Sequence, residues 1–225
     1  MKVFAVIPAA GLGKRFGARK QFLELAGKPL LIHTLDAFEK CLPVTGVCVA
    51  APEAEIESVQ KMILQYGLKK VVKIVAGGKE RQDSVRLGFE ALPPCEIVIV
   101  HDGVRPLVTR DVIERTIQGA SEFAGCVAAL PVKETTKKVS GDFIESTIDR
   151  SDLWSIQTPQ AFRYDVFRRA VQKSVEDGFL GTDESMLVER IGEKIRVVPG
   201  SPYNIKITTP EDLQIAEAFM RLRQS

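Results

Sequence analysis

An α/β fold built on a mostly parallel sheet, with helices on both faces, is predicted by three observations. Apolar, β-branched runs suited to buried strands recur at residues 3–7, 46–50, 71–75, 97–100, 126–132, 195–198 and 204–208. Stretches with the period of an amphipathic helix separate several of them. The first run ends in a loop of small residues, Pro8-Ala9-Ala10-Gly11-Leu12-Gly13, where open α/β sheets place their ligands. A sheet covered on both faces has strands that read as continuous apolar runs rather than alternations, as these do.

The segment after the first strand carries the chemistry. Lys14, Arg15, Arg19 and Lys20 follow the loop, and no acidic residue appears before Glu24. Small residues let backbone N–H groups close on phosphate oxygens without a Cβ in the way. The cations supply the charge that a polyphosphate requires. The loop therefore reads as a cradle for a nucleoside triphosphate. A Walker A loop is disfavoured, because Arg15 stands where a metal-binding hydroxyl is needed. The dinucleotide fingerprint is disfavoured too: Gly11, Gly13 and Gly17 are one residue too widely spaced. The plainer alternative is a strand-to-helix turn with a solvated basic flank.

Further along, residues 53–66 set Ile56, Val59, Ile63 and Tyr66 on one helical face, and residues 110–124 do the same with Val112, Ile113, Ile117 and Ala120. Gly77 and Gly78 follow a strand and open a helix, so that Gly78 and Ser84 give a second place for close backbone approach. His101-Asp102-Gly103-Val104-Arg105-Pro106 follows the strand at 97–100. A carboxylate there, facing a triphosphate, can hold Mg²⁺ directly or through water, or simply cap a turn. Residues 133–149 read as two polar strands around a Ser140-Gly141-Asp142 turn, with too few apolar side chains for a core of their own. That hairpin is either a flap on its own subunit or an arm reaching a second chain. Asp149-Arg150, Thr182-Asp183-Glu184 and Lys206 complete the polar clusters. Lys206 lies in an apolar run at 204–208, where a lysine is costly unless its ammonium meets an anion. Thr209 as N-cap, Pro210 in the first turn and Asp212 completing a capping box announce the last helix. The loops after residues 7, 75, 100, 132 and 208 are expected around one site.

Composition narrows the function classes. A chain of 225 residues fits one domain, spanning 1–225, with a large core. A net charge of +2 argues against a nucleic-acid coat or a polybasic membrane anchor, so the N-terminal basic cluster is a local feature. No apolar run approaches a membrane span, and the N-terminus enters a strand without a signal-peptide pattern, so a cytoplasmic location is expected. Cys41, Cys48, Cys95 and Cys126 lack CxxC spacing and are expected as buried thiols in a reducing compartment.

Taken in order, the motifs resemble one family. They are P-A-A-G-x-G-x-R with K-Q-F (8–22), G-G-x-E-R-x-D-S-V (77–85) and V-H-D-x-x-R-P (100–106). V-K-E-T-T-K (132–137), D-R-x-x-L-W-x-x-Q-T-P-Q-A-F (149–162), T-D-E (182–184) and N-I-K-I-T-T-P-E-D-L (204–213) follow. The chain resembles the 2-C-methyl-D-erythritol 4-phosphate cytidylyltransferases of non-mevalonate isoprenoid synthesis, almost end to end. The resemblance implies a Rossmann-like nucleotidyltransferase fold with a mostly parallel mixed sheet and a protruding β-arm, CTP as co-substrate, Mg²⁺ or another divalent cation, and a homodimer exchanging the 133–154 arm. It implies that Arg15 and Lys20 stabilise charge at the α-phosphate, and that Arg150 and Lys206 grip the phosphate of the attacking polyol. Pro8, Ala9, Ala10, Gly11, Gly13, Gly78 and Ser84 would close on the nucleotide. Asp102 and Arg105 would lie near ribose, phosphates and metal, and Thr135, Thr182 and Asp183 near the polyol phosphate. Gly103-Val104 stands where two alanines are frequent in the family, a difference that touches only fine nucleotide geometry. The chain ends after the final helix, so no fused cyclase domain is expected. A ribitol-5-phosphate cytidylyltransferase is the nearest alternative; Glu80-Arg81-Gln82-Asp83-Ser84 and Asp149–Trp154 favour the methylerythritol enzyme. A non-catalytic nucleotide sensor is the distant alternative, and would not need the second anion grip of Arg150 and Lys206.

Overall fold

Strand β1 (Val3–Pro8) sits inside a seven-stranded sheet of the computed structural model, which describes residues 1–11 and 22–224. It pairs in parallel with β4 (Gly46–Ala51) on one side and β6 (Ile97–Val100) on the other. Beyond β4 lies β5 (Val71–Ala76), also parallel. Beyond β6 come β10 (Trp154–Arg163), β7 (Gly125–Pro131) and β11 (Ile195–Pro199). Only β10 runs against its neighbours. The predicted mostly parallel sheet is therefore present, with one reversed strand in its interior.

The alternation of β1 side chains feeds two separate apolar layers. Val3, Ala5 and Ile7 point to one face, where they join α1 (Leu30–Glu39), α2 (Ile56–Gln65) and α4 (Arg110–Glu122). Phe4 and Val6 point to the other, with α3 (Arg81–Glu90), α5 (Tyr164–Glu176) and α6 (Glu184–Arg190). Phe162 of β10 stacks on Phe167 of α5 with ring centroids 5.2 Å apart. Burying each such side chain stabilises the fold by about 1.5–3 kcal/mol. A short hairpin of β2 (Glu24–Leu25) and β3 (Lys28–Pro29) joins the C-terminal helix α7 (Pro210–Gln224) in a third, smaller cluster. The capping box opening α7 is as expected: Asp212 accepts from the Thr209 amide at 2.8 Å and donates its own amide to Thr209 Oγ1.

Two expectations need correction. Residues 204–208 form no strand; their backbone is tied instead by Ile207 N–H to the Val104 carbonyl and by Arg105 to the Asn204 carbonyl. The mixed sheet is as expected, but its reversed strand β10 was not among the apolar runs, because Gln157, Thr158, Pro159 and Gln160 interrupt its apolar character. Its polar side chains are nonetheless buried and bonded, Gln160 to Asp183 at 2.8 Å and Gln157 to the Ser201 carbonyl at 3.0 Å.

The hairpin at 133–149 is present as β8 (Thr136–Ser140) and β9 (Phe143–Ile148), a two-stranded sheet apart from the main one. Gly141 turns it with φ +59°, a conformation that favours glycine. Val139, Phe143, Ile144 and Ile148 on it are exposed. Cys41, Cys48 and Cys126 are buried and Cys95 half-buried, all unpaired; burial pushes their thiols up to about 11 or 12. Among the described residues no helix is long and apolar enough to cross a membrane.

Candidate active site

A cavity of about 700 Å³ opens at the carboxyl ends of the parallel strands. Residues 8–11 at the end of β1 form its floor, and residues 77–80 after β5, with Arg81 and Ser84 of α3, form one wall. Asp102 and Val104 after β6, Lys206, Ile207 and Thr208 before α7, and Pro52 after β4 close it. The strand-end geometry predicted from the sequence is thus realised, with three differences. The loop after residue 132 leads into the arm and does not line the cavity, residues 206–208 line it in place of the loop after 208, and Pro52 joins them.

The wall at Gly77 and Gly78 is fixed by its own bonds. The Gly77 amide donates to the Ala51 carbonyl at 2.8 Å, and the Gly78 amide to Ser84 Oγ at 3.1 Å. Glu80 and Asp83 cap α3 reciprocally. A Cβ on Gly77 would lie 2.2 Å from the Ala10 Cβ, so the two predicted nucleotide loops touch only because this position has no side chain.

Asp102 is the electrostatic centre of the cavity. It is 5% exposed, and its amide donates to Thr158 Oγ1 at 3.0 Å. Three cations converge on its carboxylate: Arg81 Nε at 2.9 Å from Oδ1, with Arg105 Nε at 3.2 Å and Lys206 Nζ at 3.1 Å from Oδ2. Burial alone would raise its pKa; the pull of Arg81, then Lys206 and Arg105, overcomes this and holds the carboxyl well below the usual range. Asp102 is therefore held ionised at neutral pH. Lys206, whose side chain is 40% exposed and open to the cavity, meets an anion in Asp102. His101, beside Asp102, is fully buried, tilted against Phe38, and pushed by burial down to about 3.

Of the predicted site residues, Pro8, Ala9, Ala10, Gly11, Gly78, Ser84, Asp102 and Lys206 share this cavity, and Arg105 braces Asp102 from behind. Gly13, Arg15 and Lys20 lie outside the described residues. Thr135 and Arg150 lie on the exposed arm, where the Arg150 guanidinium donates to the Lys133 carbonyl; neither lines the cavity of its own chain. Thr182 is exposed at the start of α6. Asp183 is that helix's N-cap, accepting from the Met186 amide at 3.0 Å and from Gln160 at 2.8 Å.

Two charged residues were given no role by sequence reasoning. Arg81 lines the cavity and, besides Asp102, donates to Glu184 Oε1 at 2.6 Å. Glu184 is buried, and its Oε2 has no hydrogen-bond partner among the described residues. Both sit inside quoted motifs, but 103 residues separate them, and no spacing rule joins them. Among the described residues there is no cluster of three or more His, Cys, Asp or Glu suited to a metal ion.

Comparison with known proteins points to one family. The model of the family IspD, 2-C-methyl-D-erythritol 4-phosphate cytidylyltransferase, matches residues 3–222. A Geobacter metallireducens protein of that name is 47% identical over 228 residues, covering 98% of each chain. The crystal structure of 4-diphosphocytidyl-2C-methyl-D-erythritol synthase from Anaerococcus prevotii superposes with a TM-score of 0.87 at 30% identity, covering 98% of this chain and 96% of that one. That of the cytidylyltransferase from Thermus thermophilus gives 0.81 at 32% identity, covering 98% and 100%.

Proposed function

The chain belongs to the IspD family, and from that premise we propose that it transfers the cytidylyl group of CTP to 2-C-methyl-D-erythritol 4-phosphate, releasing pyrophosphate. The observation that carries this reading is the cavity itself: closely apposed small-residue loops on one side, and Asp102 with Lys206 on the other.

The reaction sets two anions against each other. A phosphate monoester oxygen attacks the α-phosphorus in line, and pyrophosphate leaves. The nucleophile is already ionised, so no general base is needed; charge neutralisation and positioning carry the catalysis. In this reading backbone groups of residues 8–11, Gly13 and Gly78, with Ser84, hold the nucleotide. Arg15 and Lys20 steady the α-phosphate. Lys206 grips the polyol phosphate, and Asp102 and Arg105 order the phosphate side of the cavity.

Asp102 also fits one requirement of a divalent cation. Mg²⁺ is commonly held by one or two carboxylates together with substrate phosphates, and Asp102 sets an ionised carboxylate in the cavity wall. When bound, Mg²⁺ would neutralise charge on the triphosphate.

The chain acts as one nucleotidyltransferase domain with 133–154 as its arm, and the active species is a homodimer. Support comes from the exposed Val139, Phe143, Ile144 and Ile148 on a hairpin without a core, continued by the exposed Trp154 and Ile156. Exchange of the arm would bring the partner's copy of Arg150, with Thr135, to the polyol phosphate facing Lys206, while Thr182 and Asp183 flank it from α6. Unpaired thiols and phosphorylated substrates suit a cytoplasmic enzyme.

The test is pyrophosphate release from CTP with each polyol phosphate in parallel. Turnover with the methylerythritol phosphate is expected. Turnover with ribitol 5-phosphate alone would overturn the substrate choice, and CTP binding without any pyrophosphate release would make the protein a sensor.

A further inference from the structure

We infer that Glu184 is a positioning residue for the transfer reaction: through the Arg81 guanidinium it fixes the Asp102 carboxylate at the back of the nucleotide cavity. The inference rests on the functional reading above and extends it to two residues that reading leaves without a role.

Arg81 opens α3, and Glu184 opens α6. One guanidinium spans from the end of β6 to the start of α6, with Nε on Asp102 Oδ1 at 2.9 Å and Nη1 on Glu184 Oε1 at 2.6 Å. It thereby ties the nucleotide wall to the segment that carries Thr182 and Asp183. The charge count explains what Glu184 adds. Asp102 faces Arg81, Arg105 and Lys206, and of these Arg81 is the one shared with a second carboxylate. Without Glu184, three cations would compete for one anion, and Arg81 would be released toward the cavity that it lines.

A role in helix capping does not account for Glu184, because Asp183 already caps α6 through the Met186 amide. Burying a carboxylate at 1% exposure with Oε2 unbonded among the described residues is costly, and burial, only partly offset by Arg81, pushes its pKa up. The arrangement costs stability, and what it secures is the placement of Arg81.

The experiment compares wild type, Glu184→Gln, Arg81→Lys and the double variant by kcat, KM for each substrate, and Tm. Glu184→Gln keeps the size and one acceptor but removes the charge; Arg81→Lys keeps the charge but loses the planar fork that sets Nε on one carboxylate and Nη1 on the other. Expected is a fall of about tenfold in kcat/KM for CTP in Glu184→Gln, the usual scale for a residue acting one step behind a binding group. KM for the polyol phosphate should rise less than that for CTP, because Lys206 keeps its own contact with Asp102 Oδ2. The double variant should be no worse than Arg81→Lys, because both changes act through the same guanidinium. A lowered Tm with unchanged kinetic constants, or losses that multiply in the double variant, overturns the inference. If Glu184→Gln does not fold, Glu184→Asp, with its charge on a shorter stem, is read by the same criteria. Wild type without turnover overturns the functional reading and this inference together; active wild type with kinetically normal Glu184→Gln overturns the inference alone.

Discussion

Gly77→Ala would place one methyl group between the two loops that line the cavity at the strand ends. The added Cβ would lie 2.2 Å from the Ala10 Cβ and 2.9 Å from Ser84 Oγ. Ordinary carbon contacts begin at about 3.5 Å, so the loops would have to part by about 1.3 Å or more. Neither neighbour is a flexible chain end. The Ala10 Cβ moves only with its backbone, and Ser84 is buried and bonded to Gly78 and to the Glu80 carbonyl. The displacement therefore passes to residues 9–11, the floor of the cavity. A misplacement of about 1 Å costs on the order of 10²-fold in rate, or about 2.7 kcal/mol of transition-state stabilisation. The fold should lose less, about 1–3 kcal/mol for an overpacked contact at the edge of the core. Steady-state kcat/KM for CTP, with calorimetric CTP binding and Tm on the same preparation, measures both. A folded Gly77→Ala protein whose kcat/KM for CTP stays within threefold of wild type would refute the reasoning.

Other expectations can be checked with equally direct measurements. Arg15→Ala or Lys20→Ala should lower kcat by about 10²-fold, the scale for losing one preorganised electrostatic stabiliser; single-turnover rates near wild type would remove them from the α-phosphate. Lys206→Ala and Arg150→Ala should mainly raise KM for the polyol phosphate, with CTP binding largely intact. An unchanged KM in both would end the proposed division of labour. Phe143→Ser with Ile144→Ser should shift the protein from dimer to monomer in sedimentation and depress activity with it, whereas an unchanged sedimentation coefficient would exclude the arm from assembly. His101 stays neutral in the folded protein down to about 3, against 6.5 when unfolded. Between those values the unfolded chain binds the extra proton, so the contribution is complete above about pH 6.5 and shrinks as pH falls. Going from pH 7 to 5, urea unfolding should lose about 2 kcal/mol from this source, and His101→Gln should remove that share of the slope. An equal slope in the variant would assign the pH dependence elsewhere.

What the sequence made legible depended on where burial is two-sided. β1, β4, β6 and β7 are nearly all apolar because helices cover both faces, so runs such as Ile97–Val100 announced themselves. α2 and α4 carried clear periodicity over a solvated face. α5 offered the same signal in Val166, Phe167, Ala170 and Val171, which went unread. β10 hid itself by using buried amides and a hydroxyl where apolar side chains were expected. The run at 204–208 misled in the opposite sense: Ile207 is buried in the small cluster with Leu25 and Leu30, not in a ladder, and its neighbour Lys206 is turned to the cavity. At the site, single-loop features such as residues 8–11 or the Gly77–Gly78 pair were visible as local patterns. The Arg81–Glu184 bond was not, because it exists only after α3 and α6 have docked on the same face of the sheet.

β1 has a consequence of its own. Its odd-numbered side chains anchor one oily layer, its even-numbered ones the other, and its last residue opens onto the cavity floor. Mutations that loosen either layer should therefore disturb the floor of the cavity along with the core. Heat-sensitive alleles mapping far from the pocket should accordingly be rescued by excess CTP.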